Sequence, residues 1–340
     1  MDFTLSDEQV MFAQTAATLF GDTCTPDHWH RMMEQDTAFD AGRWAQIVEN
    51  GFTLLLLPES AGGLGLTELD FALIAQAAGY VALPEPLVES AGIAAPMLAA
   101  LAPDHALSAD PAAIIAIAPA CNPVVAHADV ADAILMEQDG HAFLVLPDQV
   151  TLMPAATIDP LRRLFRVTWD PARAEDLGPA DWTLALDRAA VFAAAQALGL
   201  AQRAVDLAVA YAKDRQQFGK PIGSYQAVKH HLASAQVAIE FARPVVIAAA
   251  AQIGQRDIFA QARISHARLV ATEAADKAAR ASIQVHGAMG YSWEVDVHLF
   301  LKRALALSGS WGTSAFHRAR VGTRLFTRPT GPDQTFAREA

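Results

Sequence analysis

The chain has 340 residues, of which 53% are hydrophobic, and its 25 Lys and Arg face 37 Asp and Glu for a formal net charge of −12. That length suffices for two or three domains around a large core, and the alanine that makes up much of the apolar content points to closely packed helices rather than to a sheet protein. The negative charge argues against non-specific nucleic-acid binding, which needs a basic face to neutralise phosphates.

Residues 1–105 read as short helices. The N-terminal "MDFTLSDEQV" places acids where a signal peptide would carry a basic segment, and no uninterrupted apolar window of about 18 residues is evident. Neither export nor a membrane span is expected, and the chain is assigned to the cytoplasm. Ser6 is a plausible N-cap for "LSDEQVMFAQTAATLF", and "LTELDFALIAQAAGYVA" repeats the helical pattern. Between them "LLLLPESAGGLGL" is loosened by Gly62, Gly63 and Gly65, a turn or a ligand-facing loop. Residues 106–178 change character. "AAIIAIAP", "AILMEQDGHAFLVLP" and "RRLFRVTWD" are short β-type runs, with Asp139-Gly140 as a hairpin turn. Cys24 and Cys121 lie far apart without metal-type spacing, as unpaired thiols of a reducing compartment, and no metal site is expected.

Residues 179–330 form a bundle of long helices, followed by a tail at 331–340. "WTLALDRAAVFAAAQALGLAQRAVDLAVAYAKDRQQF" is apolar around most of its circumference and should be buried on several sides. "SYQAVKHHLASAQVAIEFARPVVIAAAAQIG" follows, with Pro244 expected to kink it. A third helix ends near Gly287, a fourth covers "VDVHLFLKRALAL", and a fifth follows Gly312. The expected fold is mainly α: an N-terminal helical domain, a small β-domain, and a C-terminal helical bundle. The long helices carry apolar residues on more faces than a monomer of this size can cover, which predicts an interface.

Residues 214–233, "DRQQFGKPIGSYQAVKHHLA", break this pattern with an arginine, three glutamines, two aromatics, glycines and a proline. Guanidinium and amide donors on a glycine-bearing loop suit a phosphate and a polar nucleoside. "RQQFGKPIGSYQ", followed about 58 residues later by "QVHGAMGY", resembles the paired C-terminal signature of the acyl-CoA dehydrogenases. The helical–β–helical order and the "PESAGGLGL" loop extend the resemblance over nearly the whole chain. It implies an FAD-dependent enzyme that introduces an α,β double bond into an acyl-CoA thioester and passes electrons to an electron-transfer flavoprotein. Carried over by position, it implies FAD contacts from Arg215 at the pyrophosphate, from Gln217, Phe218, Ile222, Tyr225 and Gln226, and from Gln284, His286 and Gly287 along the ADP part. Where the family has a second glycine this chain has Ala288.

The family's proton-abstracting glutamate has no counterpart. Trp311 precedes Gly312-Thr313, where one branch of the family carries the base, and Ala189 stands where another branch carries it, about ten residues before Gly199-Leu200. Asp187 is the nearest carboxylate, but it lies about 160° from Ala189 in helical phase. Glu294 is a second candidate, and the catalytic residue is left unassigned. The β-domain looks truncated, without the threonine- and serine-bearing segment that contacts the flavin ring in the family. The chain thus resembles the short, base-lacking subunit of the α2β2 dehydrogenases that bacteria use on steroid CoA thioesters, a subgroup to which "LPEPLVESAGIAAPML" is also similar. Such a subunit reaches across an interface to FAD while a second acyl-CoA dehydrogenase-like chain supplies the glutamate. The alternatives are a stand-alone homotetramer with Asp187 or Glu294 as base, or a non-enzymatic scaffold.

Overall fold

A computed structural model of the chain describes residues 4–329, so the 331–340 tail lies outside the described residues. Ser6 caps α1 (Asp7–Thr23): Gln9 N donates to Ser6 Oγ at 3.2 Å, and Ser6 N donates to Gln9 Oε1 at 3.0 Å. Each bond satisfies a backbone donor of the first turn. α2 (Pro26–Glu34), α3 (Ala41–Glu49) and α4 (Glu68–Tyr80) complete the first layer, followed by α5 (Leu87–Glu89), a π-helical turn at Ser90–Ala94, and α6 (Ala95–Leu101). In the glycine-rich loop before α4, a Cβ on Gly63 would lie 2.1 Å from Leu57 O. The loop's own backbone, not a ligand, requires that glycine.

Two small sheets follow. Strands β1 (Ile115–Ala118), β3 (Ala133–Gln138), β4 (His141–Val145) and β7 (Glu175–Pro179) form one, in the order β1-β3-β4-β7, with β1 parallel to β3. β2 (Val125–Ala126), β6 (Leu164–Trp169) and β5 (Val150–Ala155) form the other, antiparallel throughout. Asp139 and Gly140, at φ 52° and 81°, make the two-residue turn between β3 and β4. Left-handed backbone at both positions matches the strand twist.

The bundle comprises α7 (Trp182–Asp214), α8 (Gln226–Ala250), α9 (Ile258–His286), α10 (Val297–Gly309) and α11 (Ser314–Thr327). Between α7 and α8 lies a hairpin of β8 (Gln216–Gln217) and β9 (Lys220–Pro221). α7 is the axis of the molecule, packed against α9, α4, α8 and α10. It and α8 both reach the length and hydropathy of a membrane span. In α7, 78% of that stretch is buried inside the fold, against 33% in α8. α8 continues as one helix through Pro244, whose ring sits on its exposed side.

α4 and α7 cross at backbone contact. A Cβ on Gly79 would lie 2.0 Å from Gln196 O, and one on Gly199 would lie 1.9 Å from Gln76 O. No side chain fits at either point. Gly199→Ala must push the helices apart, and we expect it to lower the unfolding free energy by about 1–3 kcal/mol or more in denaturant titration.

Candidate functional site

Arg215 terminates α7. Its N–H donates to Tyr211 O at 2.9 Å, and its carbonyl accepts from Ile222 N at 2.8 Å, which folds the hairpin back onto the helix end. The tip residues Phe218 and Gly219 both take positive φ, 55° and 79°. Phe218 is 92% exposed, a large apolar ring held out from the surface in a backbone conformation that favours glycine. Tyr225 lies behind it, with its hydroxyl donating to Gln217 O at 3.4 Å and the Lys220 ammonium 4.3 Å over its ring.

A groove of about 420 Å³ opens beneath the hairpin, lined by Gln217, Phe218, Ile222, Tyr225, Val228, His231, Gln284 and Val285. The fold therefore brings the two sequence motifs together: Gln284 comes from the end of α9 and the others from the hairpin and the start of α8. Arg215 and Gln226 are exposed at its border. His286 is buried and stacks on Tyr211 at 4.2 Å, its Nδ1–H donating to Ser282 O at 2.7 Å. Burial lowers its pKa, so the ring is a neutral wall rather than a phosphate ligand. Gly287 turns the chain out of α9 at φ 61°, and Ala288 beside it is exposed. Lys213, Arg215, Lys220 and Lys229 oppose only Asp214 across residues 213–231, a positive patch on a chain of charge −12. Among the described residues no ion pair joins Arg215 to Asp214.

The two expected base positions are interior. Trp311 is buried in the main core at φ 59°. Its N–H donates to Asn122 Oδ1 at 3.3 Å, and its carbonyl accepts from His317 Nε2 at 3.0 Å. His317 Nδ1 lies 3.1 Å from Ser265 Oγ, and burial together with the nearby Arg268 lowers its pKa to about 4. The ring is a neutral structural link. Ala189 is fully buried in α7. Asp187, two residues before it, is also buried, and Arg320 of α11 donates to its Oδ1 at 2.7 Å. Burial pushes the carboxyl up in pKa against the pull of that guanidinium. Glu294 is exposed in the turn before α10.

A buried ionic seam joins the three regions of the fold. Arg162 donates to Glu89 Oε1 at 2.9 Å. Arg303 of α10 donates to Asp159, and its remaining nitrogens reach Leu83 O at 3.0 Å and Leu161 O at 3.3 Å. His127 is buried between them, its pKa lowered to about 4 first by desolvation. Arg43 lies 3.5 Å from Glu85, whose pKa burial raises to about 7. Glu85, Glu89, His127, Arg162, Gln196 and Arg303 enclose a cavity of only about 10 Å³.

Residues 178–326 match the family model "Acyl-CoA dehydrogenase, C-terminal domain", and residues 6–105 match "Acyl-CoA dehydrogenase, N-terminal domain". This chain belongs to the acyl-CoA dehydrogenase family. It is 36% identical over 304 residues, 88% of this chain and 92% of the relative, to acyl-CoA dehydrogenase IpdE2 of Mycobacterium tuberculosis. Among solved structures it is similar to the ChsE4-ChsE5 complex of M. tuberculosis, with TM-score 0.88, 25% identity, and coverage of 97% of this chain and 100% of that one. It is also similar to the Tcur3481-Tcur3483 steroid acyl-CoA dehydrogenase, with TM-score 0.82, 25% identity, and coverage of 94% and 98%.

Members of this family are FAD-dependent oxidoreductases of acyl-CoA thioesters. The groove has amide donors and aromatic faces, with the exposed Arg215 and Lys220 on the same hairpin, a set that suits the phosphates and nucleoside of such a dinucleotide. The seam has no room for an isoalloxazine ring. Sequence reasoning missed the seam, although a signal existed for two of its members: Glu85 and Glu89 are single charges within the otherwise uncharged run 71–103, whereas Arg162 and Arg303 each stand beside a second cation, Arg163 and Lys302. Glu85 and Glu89 sit in the same "LPEPLVESAGIAAPML" segment that carried the subgroup resemblance.

Asp187 is placed as a staple between α7 and α11. Asp187→Asn should lower the melting temperature, since Arg320 then loses its counter-charge, a loss of roughly 3–5 kcal/mol for a buried pair. Acyl-CoA turnover per folded protein should stay near the parent value.

Proposed function

We propose that this chain is the base-lacking subunit of a heteromeric, FAD-dependent acyl-CoA dehydrogenase. In this reading it lends one half of each flavin site to a longer acyl-CoA dehydrogenase-like partner. One contrast carries it: every residue of the hairpin from Gln216 to Pro221 is exposed, whereas both base positions are sealed in the core. A residue such as Phe218 is held 92% exposed at a strained turn for contact with something outside the chain. The positive patch around it suits a pyrophosphate, with Arg215 as a charge-assisted donor and Gln217 and Gln284 as amide donors. Phe218 and Tyr225 offer flat apolar faces to the nucleoside or ring.

FAD, when bound, supplies the acceptor for the hydride that leaves the β-carbon of the acyl chain. The α-proton must pass to a positioned base. Trp311 and Ala189 accept no proton, Asp187 is held by Arg320, and we assign that role to a glutamate of the partner. The ChsE4-ChsE5 complex and the Tcur3481-Tcur3483 steroid acyl-CoA dehydrogenase support a second acyl-CoA dehydrogenase-like subunit and a steroid-type substrate; we assign the assembly as α2β2 and the substrate as a steroid CoA thioester. Electrons then leave to an electron-transfer flavoprotein.

Light scattering with flavin quantification on the co-expressed pair tests this directly. We expect two FAD per tetramer, little flavin on the chain purified alone, and no acyl-CoA oxidation by it. Four FAD per tetramer, or turnover by the pure homo-oligomer, would overturn the assignment. Arg215→Ala in the complex should leave the melting temperature of the chain unchanged while weakening FAD retention about ten- to a hundredfold, the loss of one charge-assisted bond.

A further inference from the structure

The groove beneath the hairpin stands on a small apolar cluster of its own, separate from the main core. Ala208 and Ala212 of α7 and Leu232 of α8 are buried there, with Ile222, Val228 and Val285 packed around them. Alanine and valine bury little area, so this cluster holds the three helix ends together only weakly. Gly223 seats the hairpin on α7, since a Cβ there would lie 2.9 Å from Ala212 O. The end of α9, which carries Gln284, needs a tie of its own.

That tie is the stack of Tyr211 on His286, with ring centroids 4.2 Å apart and planes inclined by 26°. Tyr211 lies in the last turn of α7, where its carbonyl accepts from Arg215 N at 2.9 Å. His286 closes α9 and is 5% exposed, and the bond from its Nδ1–H to Ser282 O at 2.7 Å fixes the plane of the ring. Gln284 belongs to the same turn, its carbonyl accepting from Gly287 N.

We propose that Tyr211 is the positioning residue of the flavin half-site. Its ring, pressed on His286, holds the end of α9 where Gln284 and the hairpin's Gln217 can reach one ligand. This rests on the flavin reading above. Tyr211 lies outside the groove lining, so it acts through His286 and Gln284 and not by touching the dinucleotide. Two flat rings in contact resist tilting in a way that the methyl groups beside them do not. Without the stack, only the fraction of molecules with both motifs in register binds, and apparent affinity falls by that fraction. The main core lies elsewhere, so the fold itself does not depend on this ring.

FAD retention by the co-expressed complex tests this, read from the rise in flavin fluorescence on release. Tyr211→Leu should weaken retention roughly three- to tenfold, the range that one aromatic pair contributes. The melting temperature of the chain, which a merely structural role would lower, should change little. Tyr211→Phe keeps the stack and should retain FAD as the parent does. In a Gln284→Ala background, Tyr211→Leu should add little, because the group it positions is already gone. Equal losses in Tyr211→Phe and Tyr211→Leu would put the hydroxyl on the ligand and overturn the proposal. Losses that simply add in the double variant would overturn it too, as would parent-like retention by Tyr211→Leu while Arg215→Ala releases FAD. If Arg215→Ala also leaves retention unchanged, the flavin reading itself fails, and this proposal with it.

Discussion

The crossing of α4 and α7 is the constraint on which the rest of the molecule depends. Gly79 and Gly199 each press their bare Cα against the opposite helix's backbone, so the N-terminal layer can meet the bundle at one place and one angle only. Gly92 in the π-helical turn tightens the same junction, since a Cβ there would lie 2.6 Å from the Phe71 ring. Phe71 in turn packs on Phe192 of α7 at a centroid distance of 4.7 Å. Close-packed interiors transmit such constraints because they cannot deform continuously. With α7 fixed, its C-terminal end fixes the hairpin.

Once the helical layers are locked, the β-domain is held against them by charges rather than by a cofactor. The Glu89–Arg162 and Asp159–Arg303 pairs span the junction between the sheets and the helices, and buried pairs tolerate no loss of one partner. Arg268 solves the same problem without a carboxylate. Fully buried in α9, it donates to the carbonyls of Leu307 and Ser310 at the end of α10, where unpaired carbonyls concentrate partial negative charge. Desolvation lowers its pKa to about 10, still leaving a cation at neutral pH. The corner it holds contains Trp311 and His317, so the place where a base would be expected is tied on several sides into the core.

The molecule is consequently asymmetric. One side is sealed with ion pairs and an indole. The other displays a strained aromatic, a row of cations and an apolar helix face. A large aromatic held 92% exposed at a positive-φ turn and an apolar helix left largely uncovered are costly as free surface, and both make sense when a neighbouring chain completes them.

Much of this was determined by the sequence alone. Helix α7, the bundle order, the Ser6 cap and the Asp139-Gly140 turn are local: each depends on residues within one element, and periodicity and turn chemistry register them directly. The two motifs also identified the family, because their residue types and spacing are unusual in a helical protein. The tertiary structure alone decided three things. It placed Gln284 beside Gln217 and Tyr225, buried Asp187 against Arg320 of α11, and paired the seam charges, whose members lie 73 and 144 residues apart. No local pattern encodes such partners. Whether a carboxylate is a base, a staple or a bridge depends on which cation reaches it and how much water is left, and both are properties of the packed fold.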